Sequence, residues 1–417
     1  MKFIGSSPDL GLSGANTFLA TLLDGCSERG HEAIWILTSY KGENRQSWIN
    51  NRKFEIDSLP PTKLSDYKAR QTAFADILGQ EKDTYYFPNY DGDMFYGIPS
   101  FPSSARTIFV VHSDDPVYYD LLEKHEDSFD AIVAVSQFLT QNLKQHRPHL
   151  EHKVHSIPYG VDLPELSRSY PDTIDKDRPL RVVYSGRIVQ EQKRVRDLAT
   201  LILECHRTSL PVSFQIAGDG PHRKQFLDKI EPALESGSAE YLGLVESSRI
   251  LELYQTSDVI VLTSEFEGLP LCLLEAMAAG CVPVVTDIKS GVPELIPDDS
   301  FGARIEIGDI DAFVEKFQRF IDHPELLKGT SQNARRRIID GGYTKEANVT
   351  SYIELCQSLP AQAPRPNRPV PTCPPQYTFP ARLKAFLALN VERVRKRLPK
   401  GLGYKAPAYL SEGAEKW

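Results

Sequence analysis

Two glutamates stand eight positions apart in this sequence, at Glu267 and Glu275. The β-rich run Val259–Leu262 precedes them, and another, Val282–Thr286, follows. This order predicts that Glu267 ends a buried parallel strand and that Glu275 lies about two turns into the helix after Pro270. Ligands of open α/β sheets bind at that edge, where the N–H groups of a helix N-terminus can meet a phosphate. The two carboxylates therefore indicate a binding site at the carboxyl edge of a sheet.

A glycine and two cations follow the strand predicted at Arg181–Ser185. Gly186 permits a tight turn, and Arg187 and Lys193 bring two positive charges to one loop. A guanidinium offers a planar fork of donors, whereas an ammonium acts as a point charge. Both can neutralise a diphosphate as it leaves, so this loop predicts stabilisation of a phosphate leaving group.

Two candidates in the first half also lie where strands end. Gly14 opens the helix after the first strand, so its backbone can approach a phosphate. His112 closes the strand predicted at Thr107–His112, on the side of the expected cleft. The signature G-x-G-x-x-G is absent and no acidic residue ends the second strand, which disfavours a dinucleotide-dependent dehydrogenase.

Short β-rich runs alternate with helical patterns, which predicts α/β folding with doubly wound parallel sheets in two Rossmann-like domains. The polar, proline-containing stretch Asp162–Arg178 is predicted as the linker between them. The predicted strands are Lys2–Gly5, Ala33–Thr38, Phe54–Ser58, Thr84–Phe87, Thr107–His112, Ala131–Ser136, Val154–Pro158, Arg181–Ser185, Ser213–Ala217, Glu240–Leu242, Val259–Leu262 and Val282–Thr286.

The domain boundaries follow from the same pattern. We assign residues 1–165 to an N-terminal domain and residues 166–344 to a second domain. Residues 345–359 are predicted to form a further helix, and residues 360–417 form a tail.

The segment from Glu267 to Gly280 resembles the donor motif of the family-4 retaining glycosyltransferases, enzymes of the GT-B fold, and the resemblance covers about residues 1–358. It implies that Glu275 holds the ribose hydroxyls of a nucleotide sugar and that Glu267 lies beside the transferred sugar. It also implies that Arg187 and Lys193 grip the diphosphate, although the family often has Pro-Glu-Lys-Gly where this chain has a longer loop.

The resemblance also implies that residues 1–165 form the acceptor-side domain, that residues 166–344 bind the donor, and that residues 345–359 form a crossover helix that packs back on the first domain. It extends to His112, which it places near the transferred sugar or the acceptor. A tyrosine, Tyr159, stands where the family has an asparagine. The remaining residues implied to line the donor site are Gly14, Gly186, Gly218, Asp219, Leu244, Val245, Gly268, Leu269, Pro270 and Leu271.

The function so implied is retaining transfer of a hexose from a UDP- or GDP-sugar to the hydroxyl of a glycan, lipid-linked or small-molecule acceptor. Neither a cofactor nor a metal is expected. Another GT-B enzyme, such as a nucleotide-sugar epimerase or a phosphorylase, is the first alternative. A non-catalytic nucleotide-sugar-binding scaffold is the second.

Composition excludes other classes. The 417 residues carry a net charge of −8, which argues against a nucleic-acid-binding protein. The six cysteines are scattered without a C-x-x-C pair, so neither a zinc site nor a disulfide framework is indicated. No apolar run approaches a membrane span, and no secretory leader is recognised, so a cytoplasmic protein is expected.

The tail changes in composition from Pro360 onward, where prolines become frequent. Arg382–Leu398 then combines a leucine-rich stripe at helical spacing with six basic residues. Two interpretations stay open: a helix docked on the protein itself, or an amphipathic segment lying on an anionic membrane.

Overall fold

The protein is described from a computed structural model, which covers residues 1–8, 10, 13–38, 52–59, 67–79, 83–89, 92–95, 97–102, 104–166 and 168–360. Its strands form two separate parallel sheets, each covered by helices. The predicted α/β fold class is therefore confirmed. The tail segment Arg382–Leu398 lies outside the described residues.

Seven parallel strands form the first sheet. They are β1 (Lys2–Ser7), β2 (Glu32–Leu37), β3 (Glu55–Ser58), β4 (Thr84–Pro88), β5 (Ala105–Val111), β6 (Ala131–Ala134) and β7 (Val154–Ser156). Their order is β3-β2-β1-β4-β5-β6-β7. The order reverses between β1 and β4, and crevices at such reversals are the usual ligand sites of open α/β sheets.

Six parallel strands form the second sheet. They are β8 (Leu180–Ser185), β9 (Val212–Ala217), β10 (Ala239–Gly243), β11 (Val259–Leu262), β12 (Val282–Thr286) and β13 (Ala303–Ile305). Their order is β10-β9-β8-β11-β12-β13. The reversal falls between β8 and β11, so the loops that carry Arg187 and Glu267 leave neighbouring strands at one edge of the sheet.

Helices connect the strands. They are α1 (Gly14–Glu28), α2 (Tyr67–Leu78), α3 (Gly92–Phe95), α4 (Pro116–His125), α5 (Gln137–His146), α6 (Gln190–Lys193), α7 (Val195–Arg207), α8 (Arg223–Glu235), α9 (Ser247–Thr256), α10 (Leu271–Ala278), α11 (Val292–Leu295), α12 (Ile310–Asp322), α13 (Glu325–Asp340) and α14 (Lys345–Ser358). Among the described helices, none is long and apolar enough to cross a membrane.

The last helix, α14, returns to the first domain. Val349 packs so closely on Gly25 of α1 that a β-carbon there would collide with it. The Tyr85 hydroxyl donates to the Cys356 carbonyl over 2.8 Å, and Lys345 pairs with Glu28 at 3.0 Å. The chain thus crosses between the domains twice, once before β8 and once before α14.

Three local features differ from the sequence-based prediction. Strand β13 was not predicted, because its three residues, Ala303–Ile305, are too few to show a period and include an arginine. The short helix Gln190–Lys193 was also not predicted. Glu275 is the fifth residue of α10, so it lies little more than one turn into the helix rather than two.

Candidate active site

An ion pair joins the two loops at the strand-order reversal of the second sheet. Lys193 Nζ lies 2.5 Å from Glu267 Oε1, and the Ser264 hydroxyl donates to the same oxygen over 2.8 Å. Glu267 is only 7% exposed. Burial alone would lower the pKa of Lys193, but the Glu267 carboxylate outweighs it and the net pKa is raised. Lys193 therefore stays charged, and its charge is fixed in position.

Gln192 extends this pair to Arg187. Its amide nitrogen donates to Glu267 Oε2 over 3.4 Å, while its amide oxygen accepts from the Arg187 guanidinium. The Gln192 carbonyl also accepts from the backbone N–H of Glu265 over 2.8 Å. Arg187, Gln192, Glu267 and Lys193 consequently form one hydrogen-bonded chain, which we call the cation chain. Arg187 is its exposed end.

Arg194 ties the same two loops together from the other side. Its backbone lies in the left-handed region, with φ 46° and ψ 48°, between α6 and α7. Its guanidinium pairs with Asp197 at 2.7 Å and with Glu265 at 2.6 Å. A left-handed conformation is costly for a side chain larger than glycine, and such strain is typical of functional sites.

Glycines let three strand ends of this domain approach closely. Gly218 has φ +141°, and a β-carbon there would collide with the Gly186 carbonyl. The Gly218 N–H donates to the Gly243 carbonyl over 2.7 Å. Asp219 serves its own turn, since its carboxylate accepts from the Gly220 N–H over 2.7 Å and pairs with an arginine of α8. The predicted donor-site residues Gly186, Gly218 and Asp219 therefore lie together.

The next loop leaves an apolar side chain uncovered. Leu244, directly after β10, is 55% exposed, whereas Val245 is half-buried. An exposed leucine beside a polar site is suited to cover one face of a planar base.

Glu275 lies on α10, which follows the loop of Glu267, and is half-buried. Burial, with a smaller contribution from the nearby Asp162 carboxylate, raises the pKa of Glu275 from 4.5 to about 7. Among the described residues, no side-chain hydrogen bond to the Glu275 carboxylate is formed. The carboxylate is thus placed to accept hydrogen bonds from a ligand.

His112 lies just after β5 and is 7% exposed. Its Nδ1 is 2.6 Å from the Tyr159 hydroxyl, and its Nε2 is 3.0 Å from Asn89 Oδ1. Asn89 in turn donates from Nδ2 to Asn16 Oδ1 over 3.0 Å. Burial lowers the pKa of the His112 imidazole to about 3, so the ring is neutral at physiological pH. Both ring nitrogens are already bonded within the protein.

The two domains meet at these residues. A β-carbon on Gly268 would collide with the His112 carbonyl, so the donor loop rests on the end of β5. The Leu271 side chain approaches Gly14 at the start of α1, where an added β-carbon would lie 3.5 Å away. Residues from both sheets therefore border one site.

A further contact spans the domains beside this site. The Glu294 carboxylate of α11 accepts from the Phe138 N–H over 3.0 Å, in the first turn of α5. Among the described residues, no group of three histidine, cysteine or acidic side chains is arranged to hold a metal ion.

The structure brings together most of the predicted residues and adds partners that the sequence did not show. Gln192 and Ser264 hold Glu267, and Asn89 and Tyr159 hold His112. The sequence did single out Tyr159, as a departure from the resembled family, but not its role. Gln192 lies in the predicted phosphate loop, so its position was the available signal.

Two family descriptions match the two halves of the chain. "Glycosyltransferase Family 4" matches residues 12–165, and "Glycosyl transferases group 1" matches residues 171–337. The chain belongs to the family-4 GT-B glycosyltransferases. The family predicted from the segment at Glu267 is therefore confirmed.

Individual relatives are distant and match in part. A glycogen synthase of Mycobacterium tuberculosis is 25% identical over 193 residues, 46% of this chain and 46% of that protein. The amylovoran biosynthesis glycosyltransferase AmsD of Erwinia amylovora is 30% identical over 162 residues, 39% of this chain and 44% of that protein. The chain spans about half the length of these curated relatives.

Solved structures share the fold over most of the chain. HepE of Anabaena, in complex with UDP-glucose, superposes with a TM-score of 0.71 at 16% identity, covering 86% of this chain and all of that one. A TarM mutant of S. aureus, in complex with fondaparinux, α-GlcNAc-glycerol and UDP, gives 0.69 at 14% identity, with coverage of 86% and 100%. The likeness confirms the predicted GT-B architecture.

Proposed function

We propose that this protein is a retaining glycosyltransferase that moves a hexose from a nucleoside-diphosphate sugar to an acceptor hydroxyl. The observation that carries the proposal is the cation chain at the strand-order reversal. It joins Arg187 and Lys193 to Glu267, and Leu271, shortly after Glu267 in the chain, approaches Gly14 at the N-terminus of α1 in the other domain. Two fixed cations and a helix N-terminus match the charge of a diphosphate.

In the proposed reaction, negative charge develops on the leaving diphosphate, next to these two cations. The bond between the anomeric carbon and the diphosphate oxygen breaks, and the electron pair leaves with the nucleoside diphosphate. Arg187 and Lys193 stabilise the negative charge that develops on that oxygen. The acceptor oxygen then bonds to the anomeric carbon on the face that the diphosphate left, and its proton passes to a phosphate oxygen. Contact between the domains at Gly268 and His112 would exclude water from this step.

Glu275 is proposed to hold the ribose. Its carboxylate can accept from both ribose hydroxyls, while Leu244 and Val245 border the base. The relatives in complex with UDP and UDP-glucose support testing uridine nucleotides before guanosine nucleotides. The proposed donor pocket is completed by Gly14, Gly186, Gly218, Asp219, Gly268, Leu269, Pro270 and Leu271.

Glu267 is proposed to act on the sugar. Its second oxygen, Oε2, accepts only a long bond from Gln192, 3.4 Å, so it is the oxygen best placed to accept from a sugar hydroxyl. We propose that neither a cofactor nor a dedicated metal is required, because two fixed cations already face the leaving group. Relatives named for amylovoran and glycogen synthesis support a glycan as the acceptor.

A thermal-shift screen of nucleoside diphosphates and nucleotide sugars tests donor binding. The correct donor should raise the melting temperature of the wild-type protein by mass action. The Arg187→Ala variant should lose that shift, because losing one charged donor costs about 2–4 kcal/mol of binding. A matched control is Arg181→Ala, whose exposed arginine lies near the other end of the same strand, β8. If the two variants respond alike, the phosphate assignment is wrong.

Proton NMR of the reaction tests transfer and its stereochemistry. The product glycoside should keep the anomeric configuration of the donor, and EDTA should not abolish its formation. An inverted product would contradict retention, and loss of activity with EDTA would contradict the proposal on metals. Epimerised donor or a sugar phosphate formed from inorganic phosphate would instead identify an epimerase or a phosphorylase. Donor binding without any turnover would identify a scaffold.

The tail supports a proposal about location. We propose that the protein works in the cytoplasm, peripherally bound to the membrane through Arg382–Leu398. The basic residues of this segment would each contribute about 1 kcal/mol on an anionic surface. Full-length protein should co-sediment with liposomes that contain anionic lipid, less so at high salt. Replacing Arg393, Arg395, Lys396 and Arg397 by glutamine should abolish binding, and unchanged binding would refute the proposal.

A further inference from the structure

A chain of four buried polar side chains runs through the first domain, from the domain crossing to the start of α1. Its members are Tyr159, His112, Asn89 and Asn16, and each is at most 7% exposed. The successive distances are 2.6, 3.0 and 3.0 Å. Buried hydrogen-bonded networks are costly unless every member is satisfied, so the direction of each bond matters.

The direction can be read from Asn89. Its Nδ2 donates to Asn16 Oδ1, so its other amide atom, Oδ1, faces His112 and can only accept. His112 Nε2 must therefore carry the proton. A neutral imidazole has one N–H, so Nδ1 is the acceptor and the Tyr159 hydroxyl is the donor.

We propose that Tyr159 is a positioning residue for the transfer reaction, because its hydroxyl donates to Nδ1 of the neutral His112 ring and fixes where that ring lies. The proposal rests on the proposed function in one respect: it takes the contact between His112 and the donor loop as part of the active site. Tyr159 belongs to the segment that crosses between the domains. The adjoining Gly160 is packed so tightly against the backbone around Thr344 that a β-carbon would collide there.

Two contacts explain how the Tyr159 hydroxyl can affect the transfer reaction without touching the substrate. The His112 carbonyl touches the donor loop at Gly268, and Asn16 lies in the first turn of α1, two residues after Gly14. Without the Tyr159 hydroxyl, Nδ1 would lose its donor, and the ring would be held only by the bond from Nε2–H to the Asn89 oxygen among the contacts of this chain of side chains. The ring and the start of α1 would then shift together, on the side of the site that closes against Leu271.

The Tyr159→Phe variant tests this role in the full-length protein. Losing one buried hydrogen bond should lower kcat about tenfold. The KM for the donor and the Kd for UDP should change less than twofold, because the cation chain lies in the other domain. The matched control is Tyr85→Phe, which removes a buried hydroxyl bonded to the Cys356 carbonyl, away from the site. Its kcat should stay within twofold of the wild-type value.

A second measurement needs neither donor nor acceptor. In protein labelled with ¹⁵N-histidine, the His112 ring should give the shifts of a neutral Nε2–H tautomer at pH 7, with assignment by the His112→Gln variant. In Tyr159→Phe the proton should stay on Nε2, because Asn89 still accepts it, and the Nδ1 signal should move because the hydroxyl that donates to Nδ1 is gone. These chemical shifts can be measured even if the protein turns over no nucleotide sugar. The experiment can therefore show that this inference is wrong independently of whether the proposed function is wrong.

Three outcomes would overturn the inference. The first is a wild-type His112 that is charged or protonated on Nδ1 at pH 7. The second is a Tyr159→Phe variant that keeps its kcat and its Nδ1 chemical shift. The third is a Tyr85→Phe control that loses as much kcat as Tyr159→Phe, which would show that any buried tyrosine in this domain acts through stability alone.

Discussion

Replacing Glu275 by glutamine should stabilise the protein without ligand and weaken its binding of nucleotide. Burial raises the pKa of Glu275 from 4.5 to about 7. Between these two pH values the folded protein binds a proton that the unfolded chain releases. The contribution of Glu275 to the stability of the folded protein is therefore fully present below about pH 4.5 and is lost as the pH rises through about 7.

The size of the effect follows from the same two values. The interval from 4.5 to about 7, at roughly 1.4 kcal/mol per pH unit, corresponds to about 3 kcal/mol. Glutamine has nearly the same shape and no charge, so Glu275→Gln should recover up to that amount at pH 8 and little at pH 5. For a domain of this size, the melting temperature at pH 8 should rise by about 6 °C.

Thermal unfolding of the two proteins at pH 5 and pH 8 provides the assay. The matched control is Glu231→Gln, on an exposed position of α8, which should leave the melting temperature within about 1 °C at both pH values. Saturating UDP should stabilise the wild-type protein more than Glu275→Gln. Two results would contradict this prediction. One is a Glu275→Gln variant with a lower melting temperature than the wild type at pH 8. The other is a variant whose melting temperature differs from that of the wild type by the same amount at pH 5 and pH 8.

Three further outcomes are expected. Lys193→Met should lower the free energy of unfolding by about 3 kcal/mol in urea titrations, because the buried carboxylate of Glu267 loses its partner. The double variant Lys193→Met with Glu267→Gln should recover most of that loss. If it recovers none, the two side chains are not coupled. Gly268→Ala should lower kcat at least tenfold with UDP affinity retained, since the added methyl group collides with His112 across the domains; unchanged kcat would show that this contact is dispensable. Calorimetry should find UDP affinity about tenfold weaker at pH 6 than at pH 8 in the wild type; the same slope in Glu275→Gln would assign the titration to the ligand.

The fold was predictable because it depends on local signals. The runs Val259–Leu262 and Val282–Thr286 are continuous and apolar, as buried parallel strands require, and both formed strands with these bounds. Strand β13 escaped prediction because three residues carry no period. The side-by-side placement of β8 and β11 could not be read from the sequence, since strand order depends on packing between distant segments.

The site was predictable in its residue types but not in its pairings. Lys193 and Glu267 were assigned separately to phosphate and sugar, whereas the structure joins them at 2.5 Å across 74 positions of sequence. His112 was predicted at a strand end, but its bonds to Tyr159 and Asn89 reach across 47 and 23 positions. Partners of buried polar groups are chosen by proximity in the folded state, for which a single sequence carries no periodic signal.

A crystal structure of the protein with UDP bound tests the central claim most directly. We expect diphosphate oxygens within hydrogen-bond distance of Arg187 and Lys193, and both ribose hydroxyls donating to the Glu275 carboxylate. A nucleotide bound elsewhere, or one whose ribose contacts neither oxygen of Glu275, would contradict it.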